Sequence, residues 1–429
     1  MRSETLRHLG YALPAIPLAA LYLPLFTYVT PFYAAERGVD LAVLGLAWIA
    51  IRMFDAVSDP AVGWLSDRTS GRWGRRRVWL AASVPVIAVA TWQAFVPPED
   101  AGIGHAALWL FVLTLGWTMA QTPYAAWGAE LETGYAARTR VTAWREALVL
   151  VGTLVATLVY FGAGEGGEGL HAVALTVIVL LPVTVALASW AAPERVAAPS
   201  APLTLTRGWQ AMKANAPFRR LLLAWFVNGA ANGLPVTLFL FFVEHRLEAP
   251  EAAGPLLLLY FVAAILGVPL WAWLAGRVSK HRAWAGAMLY ACAIFLAALA
   301  LGPGDVVAFG VICVLTGLAL GADLSLPPAI QADVVEIDSR ATGAERAGLF
   351  FAIWQVATKA ALALSSGLAL LVLAGAGFEA TGANDDEALW TLALLYAGAP
   401  IVLKLTAVAL MWGFPLDRAA LERLRADPA

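Results

Sequence analysis

Long apolar runs alternate with short polar connections along nearly the whole chain. A helix needs about 20 apolar residues to cross a bilayer. Twelve stretches meet that length, centred near residues 22, 53, 88, 117, 152, 181, 231, 264, 292, 320, 362 and 400. The longest hydrophilic interruption lies mid-chain, at Pro193–Pro217, PERVAAPSAPLTLTRGWQAMKANAP, whose Pro, Ala and Ser content suits a linker with a short surface helix. The pattern predicts an all-α integral membrane protein with twelve transmembrane helices. An N-terminal six-helix bundle would cover 1–192, a cytoplasmic linker 193–217, a C-terminal six-helix bundle 218–413 and a cytoplasmic tail 414–429.

Charge orients these spans. Of the 28 lysines and arginines, twenty-two fall on one alternate set of connections, which includes both termini and the linker. Only Arg37 and Arg246 fall on the other set, where the loops are acidic, as in NDDE at Asn384–Glu387. The positive-inside rule then puts both termini in the cytoplasm. Composition agrees: 61% of residues are hydrophobic and 14% charged, against about 45–50% and 25% in soluble domains. The net charge of −2 reflects this segregation and points to no nucleic-acid partner. Cys292 and Cys313 both lie in apolar runs and read as small buried hydrophobes. Arg2 and Arg7 lead into a first span without an A-x-A-like cleavage end, so that span is expected to stay as a membrane helix. No nucleotide loop, metal cluster or nucleophile motif supports an enzyme or a bound cofactor.

The two halves echo each other. PAVGWLSDR at 60–68 aligns with PLWAWLAGR at 269–277, an offset of 209 residues. Two homologous six-helix bundles are a transporter architecture. The second copy has Gly276 for Asp67, and Ala264 and Val268 opposite Asp55 and Asp59. The carboxylates therefore belong to one half only.

Polar residues inside spans mark candidate chemistry. Arg52, Asp55 and Asp59 fall at i, i+3 and i+7 of the second span and share one helix face, with Ser58 beside them. A charge at the bilayer centre costs about 2.5–3.5 kcal/mol on insertion scales, so two acids and a base need compensation. Two carboxylates one turn apart repel unless a proton or cation lies between them, and carboxylate and hydroxyl oxygens suit a hard cation such as Na⁺. The simpler alternative is a structural ion pair between Arg52 and one aspartate, which leaves the second unexplained. The fourth span carries Thr118 and Gln121, with Tyr124 and Trp127 close by; the fifth begins with Arg145; the seventh holds Asn228 and Asn232; the eleventh holds Trp354, Gln355 and Lys359. Arg52, Arg145 and Lys359 could face the carboxylates across a central cavity. Arg145, near its helix start, could instead snorkel to the cytoplasm, whereas Lys359 lies too deep for that. The asparagines could reach a solute or a facing helix.

GWLSDRTSGRWGRRR at 63–77 resembles the loop between helices 2 and 3 of major facilitator superfamily transporters. The longer block from Arg52, with ADVVEIDSRATGAERAGLFFAIWQVATKAA at 332–361, resembles the glycoside–pentoside–hexuronide:cation symporters, the melibiose permease family. The resemblance implies the major facilitator fold and secondary transport driven by Na⁺, Li⁺ or H⁺. It implies a cation site at Asp55, Asp59 and Thr118, with Ser58 where the family has asparagine, and roles for Arg145 and Lys359. Arg52, Asp67, Arg68 and Arg76 would form the charge network of the cytoplasmic gate. The sugar site departs from the family: Ala15 in GYALPA holds the place of one acid, Gln121 that of another, and Ala125 that of a tryptophan flanked by Tyr124 and Trp127. The expectation is a monomeric, cation-coupled symporter of a sugar, glycoside or uronate in the inner membrane, with no cofactor beyond the coupling ion. A lysophospholipid or other amphiphile is the alternative solute, and a non-transporting membrane sensor the remote alternative.

Overall fold

Proline shapes the first span. The computed structural model describes residues 2–69, 73–131, 135–192, 194, 213, 215–342 and 347–416. The N-terminal stretch divides into α1 (Arg2–Ala12), α2 (Ala15–Thr27) and α3 (Val29–Arg37). Pro14 sits at the first break and Pro24 inside α2; a proline has no N–H to donate and crowds the preceding turn. The membrane-length segment is Leu6–Thr27, earlier than the centre near 22 expected from hydropathy. The run is legible as apolar, but its helical axis is reset by the prolines.

The other spans follow as α4 (Leu41–Arg68), α5 (Arg75–Phe95), α6 (Ile103–Leu131), α7 (Tyr135–Ala163), α8 (Gly166–Ala191), α9 (Ala216–Phe241), α10 (Ala253–Arg277), α11 (Lys280–Ala298), α12 (Val306–Thr342), α13 (Ala347–Gly375), α14 (Asp386–Ala393) and α15 (Ala399–Trp412). A π-helical turn, Leu394–Gly398, joins α14 to α15 into the last span. Twelve segments are long and apolar enough to cross a membrane, and no strand occurs among the described residues. The chain forms two units, Met1–Pro202 and Leu203–Ala429. Most of the 193–217 linker, the side chains of Asp67, Arg138 and Arg140, and the tail from 417 lie outside the described residues.

Helix starts are capped where chains enter the membrane. The Asp40 carboxylate accepts from the backbone N–H groups of Ala42 and Val43 at 2.9 and 3.0 Å. Asn215 and Asp385 do the same for α9 and α14, through Phe218 and Ala388. Such caps satisfy N–H groups that have no partner within the helix.

α4 shows how lipid inverts the usual rule for a helix. Met53 and Val57 are 69% and 68% exposed, whereas Arg52 and Asp55 are buried. The apolar face is the exposed one and the charges are buried in the unit, as expected of a helix that meets hydrocarbon. In the second unit, α10 and α12 approach backbone to backbone. A Cβ on Gly267 would run into the Leu318 carbonyl, and one on Gly321 into the backbone of Gly267 and Val268. Small residues of this kind let membrane helices touch closely, and Trp271 donates to the same Leu318 carbonyl at 2.8 Å.

The sequence repeat has a structural counterpart. The Arg68 guanidinium lies 3.8 Å from the Trp64 ring centroid, and Arg277 lies 3.7 Å from that of Trp273. Each pair closes the C-terminal end of its helix, α4 or α10, with its arginine eight residues after Pro60 or Pro269.

Candidate functional site

The second span places its charges as the spacing requires. Arg52 Nη1 donates to Asp55 Oδ2 at 2.9 Å, and both side chains are buried. Phe26 of α2 lies under the guanidinium, 4.2 Å from its ring centroid, and Trp48 lies 5.8 Å away. Trp48 is itself fixed by donating to Thr30 Oγ1 at 3.1 Å. Asp55 is thus balanced by a base on its own helix and an aromatic wall. Asp59, one turn on, is only part-buried. Ser58 is buried between them, its hydroxyl donating to the Asp55 carbonyl at 3.4 Å.

α6 runs alongside α4 in the same direction. The Phe54 and Phe111 rings meet at 4.7 Å, and a Cβ on Gly63 would touch the Thr122 methyl at 3.6 Å. These two contacts bracket Asp59 on one helix and Thr118 on the other, and bring them to the same level. A mid-helix threonine ordinarily bonds back to the carbonyl four residues earlier, as Thr114 does to Leu110 at 2.7 Å. The Thr118 hydroxyl is buried and has no hydrogen-bond partner among the described residues. An oxygen left in this way costs desolvation energy and is available as a ligand.

The remaining candidates of the first unit are engaged differently. Tyr124 and Tyr11 stack at 4.8 Å and each donates its hydroxyl to the other's backbone carbonyl at 2.9 Å. Trp127 packs edge-on against Tyr11 at 5.4 Å and is fully buried. Both aromatics are used by the interior of the unit in this structure; Gln121, one turn earlier, is part-buried. Arg145 binds Glu146, its neighbour on α7, at 2.7 Å. Where α5 begins and α6 ends, Arg75 and Arg76 share Glu130 at 2.8 Å each, and Arg76 also donates to Ser66 at 2.6 Å. Glu194 accepts from the backbone N–H groups of Arg75, Arg76 and Arg77 and so caps α5. Arg76 is therefore buried in a charge network, while Arg68 stays exposed on Trp64.

The second unit contains a polar centre that periodicity does not reveal. Asn228 and Asn232 of α9 donate to Asp323 of α12 at 3.0 and 2.8 Å. Trp284 of α11 donates to the same carboxylate at 2.6 Å. Lys404 of α15 reaches both asparagine carbonyls, at 2.9 and 2.8 Å, and Asp323 at 3.5 Å. Asp323, Lys404 and Trp284 were not candidates on sequence. The available signal was a lone acid and a lone base, each in an otherwise apolar run. On α13, Trp354 is buried and stacks on Trp225 at 4.7 Å, and Trp225 donates to Thr358 at 2.7 Å. Gln355 is exposed and Lys359 part-buried.

The family model described as MFS/sugar transport protein matches residues 10–418. The chain belongs to this family. It is 26% identical to the inner membrane symporter YicJ of Escherichia coli (strain K12), over 63% of this chain and 61% of YicJ, less than two thirds of that relative's length. It is 24% identical to the isoprimeverose transporter of Lactiplantibacillus pentosus, over 90% of this chain and 84% of that one. It is 25% identical to the sodium-dependent lysophosphatidylcholine symporter 1 of Homo sapiens, over 85% and 75%. Among solved structures, a bacterial homologue of the human lysosomal transporter Spinster superposes with TM-score 0.68 at 15% identity, covering 100% of this chain and 98% of that one. A D-xylose–proton symporter superposes with TM-score 0.63 at 16% identity, covering 97% of each. Family and fold are those of multi-pass membrane transporters, with glycoside/cation symporters among the relatives.

Proposed function

We propose that the protein is a cation-coupled symporter of a sugar-like solute working by alternating access, with the coupling site on α4 and α6. The observation that carries this reading is the buried Thr118 hydroxyl of α6, which makes no hydrogen bond among the described residues. It stands level with part-buried Asp59 of α4, one turn on from the Arg52–Asp55 ion pair. Asp59, Thr118 and Ser58 supply hard oxygens for Na⁺ or a proton, and Asp55 sets the local field. One charge moving down 100 mV supplies about 2.3 kcal/mol, enough for roughly 50-fold accumulation. Cation binding and solute binding then favour each other by the same factor, because coupling is reciprocal.

The solute is a sugar, glycoside or uronate. Ala15 and Gln121 cannot accept hydrogen bonds as carboxylates do, so neutral α-galactosides should bind weakly. Each missing charged hydrogen bond is worth about 1.5–3 kcal/mol, and calorimetry with melibiose tests the point. Within the first unit, Arg145 favours an anionic sugar, with Gln121 contributing a neutral contact. An amphiphile is the second reading, favoured by the similarity to a sodium-dependent lysophosphatidylcholine symporter at the same level of identity. Counterflow in proteoliposomes loaded in turn with sugars, uronates and lysolipids, under imposed Na⁺ or H⁺ gradients, separates these readings. Counterflow of none of them would sink the transport proposal for all three solutes. The Lys and Arg bias supports both termini inside. A cysteine at Thr381 should therefore label from outside and one at Ser200 should not; the reverse would invert the topology.

A further inference from the structure

We infer that the second unit contains a monovalent-cation site whose occupant is the protein's own Lys404 ammonium. A lysine head group has three N–H donors and no acceptor. Here it meets three oxygens: Asn228 Oδ1 at 2.9 Å, Asn232 Oδ1 at 2.8 Å and Asp323 Oδ2 at 3.5 Å. Two neutral carbonyl oxygens and one carboxylate around a compact cation form a coordination set that a potassium or free ammonium ion would also accept. The opposite side of each amide is committed as well. The Asn228 and Asn232 NH₂ groups donate to Asp323, and Trp284 adds a third donor to that carboxylate. Each asparagine therefore bridges cation and anion, with oxygen toward one and nitrogen toward the other. Asp323, Lys404 and Asn228 are all buried.

The elements explain why the site is built and not incidental. The donors and acceptors come from α9, α11, α12 and α15, so no single helix could form it. Asn228 and Asn232, one turn apart on α9, present both carbonyl oxygens to one point. If Lys404 were removed without other change, every remaining bond would persist, and a buried carboxylate with two aligned carbonyl oxygens would be left facing a hole of ammonium size. A buried unpaired charge is unstable, which drives a small cation into that hole. This assigns the two asparagines to cation coordination in place of solute contact. The unit then carries a covalently tethered cation and exchanges none with solution.

The test uses the purified full-length protein with Lys404→Ala, and with Lys404→Ala combined with Asp323→Asn. Thermal midpoints are recorded in NaCl, KCl and NH₄Cl and in N-methyl-D-glucamine chloride at equal ionic strength. The response that counts is the excess over the parent, so a parent with no cation response, which would undercut the proposed coupling site, leaves this readout intact. Lys404→Ala should show a saturable stabilisation by K⁺ or NH₄⁺ that the parent lacks. A Kd of about 10 mM would shift its folded-to-unfolded ratio roughly 20-fold at 200 mM salt. The excess should vanish in the double variant. If the alanine protein is too unstable to purify, membranes are solubilised in each salt, and folded protein should be recovered in K⁺ or NH₄⁺ but not in N-methyl-D-glucamine. A response no larger than the parent's, an excess that survives in the double variant, or failure of every salt to recover folded Lys404→Ala would overturn the inference.

Discussion

In the first unit the charges of the candidate cation site, buried Arg52 and Asp55 and part-buried Asp59, sit on a single helix, α4. In the second, Asp323 and Lys404 come from α12 and α15 and are joined through amides on α9 and an indole on α11. The first arrangement leaves Asp59 part-buried and Thr118 without a hydrogen-bond partner among the described residues. The second uses all three lysine donors and gives each carboxylate oxygen two N–H groups. A buried hydroxyl without a partner can take up a ligand; a fully bonded centre holds four helices in register. The halves share a local pattern around Pro60 and Pro269, yet their polar centres are built differently.

The largest effect expected from this contrast is on stability in the second unit. Lys404→Ala without small cations should cost about 3–5 kcal/mol, because Asp323 is left buried without its counter-charge. Replacing both charges, as Asp323→Leu with Lys404→Met, should recover most of that loss, since apolar pairs of similar volume often match a buried ion pair. Chemical denaturation of the two variants checks this. A double variant no more stable than the single would mean that the asparagine and tryptophan bonds, and not charge balance, dominate the network.

In the first unit the expected effect moves from stability to function. Asp59→Asn should leave unfolding nearly unchanged, because removing a charge from the membrane relieves an insertion cost. Accumulation driven by one charge at 100 mV should fall from about 50-fold to equilibration, a loss of roughly 2.3 kcal/mol of driving force. Solute exchange without net flux should survive. Asp55→Asn is the sharper comparison. It strips Arg52 of its carboxylate at 2.9 Å, so it should lose stability as well as coupling. If Asp59→Asn concentrates solute as the parent does, Asp59 is not the coupling acid.

The same contrast explains what the sequence makes legible. Twelve apolar runs are local features, and so is the i, i+3, i+7 spacing that puts Arg52, Asp55 and Asp59 on one face; both can be read without knowing how helices pack. Thr118 stood out only as one polar residue inside a span, and its place in a cation site came from family resemblance, because its significance lies in a hydrogen bond it does not make. Asp323 in GADLSLPP and Lys404 in IVLKLTAV offer no partner on their own helices. Their pairing depends on which helices lie side by side, information that periodicity does not carry. The general rule that an ionisable residue inside a span has a task was the available clue. Tyr124 and Trp127 illustrate a related difficulty: the linear sequence does not show that both rings pack on Tyr11 of the first span.

The smallest effect tests what the halves still share. Trp64 with Arg68 and Trp273 with Arg277 are related by the 209-residue offset and adopt the same stacking at 3.8 and 3.7 Å. Both indoles are about half exposed, at 48% and 53%, where tryptophan prefers the membrane–water boundary. A cation–π contact at an exposed site is worth about 0.5–1 kcal/mol. Trp64→Leu and Trp273→Leu keep an apolar side chain and remove the ring face, so each should lower stability by about that amount. Arg68→Gln or Arg277→Gln added to the matching leucine variant should cost little more, because the interaction is already gone. Unlike the charge variants, these should give equal values in the two units. A clear difference between Trp64→Leu and Trp273→Leu in chemical denaturation would mean that the repeated stacking has kept its geometry while its energetic role has diverged, as the polar centres have.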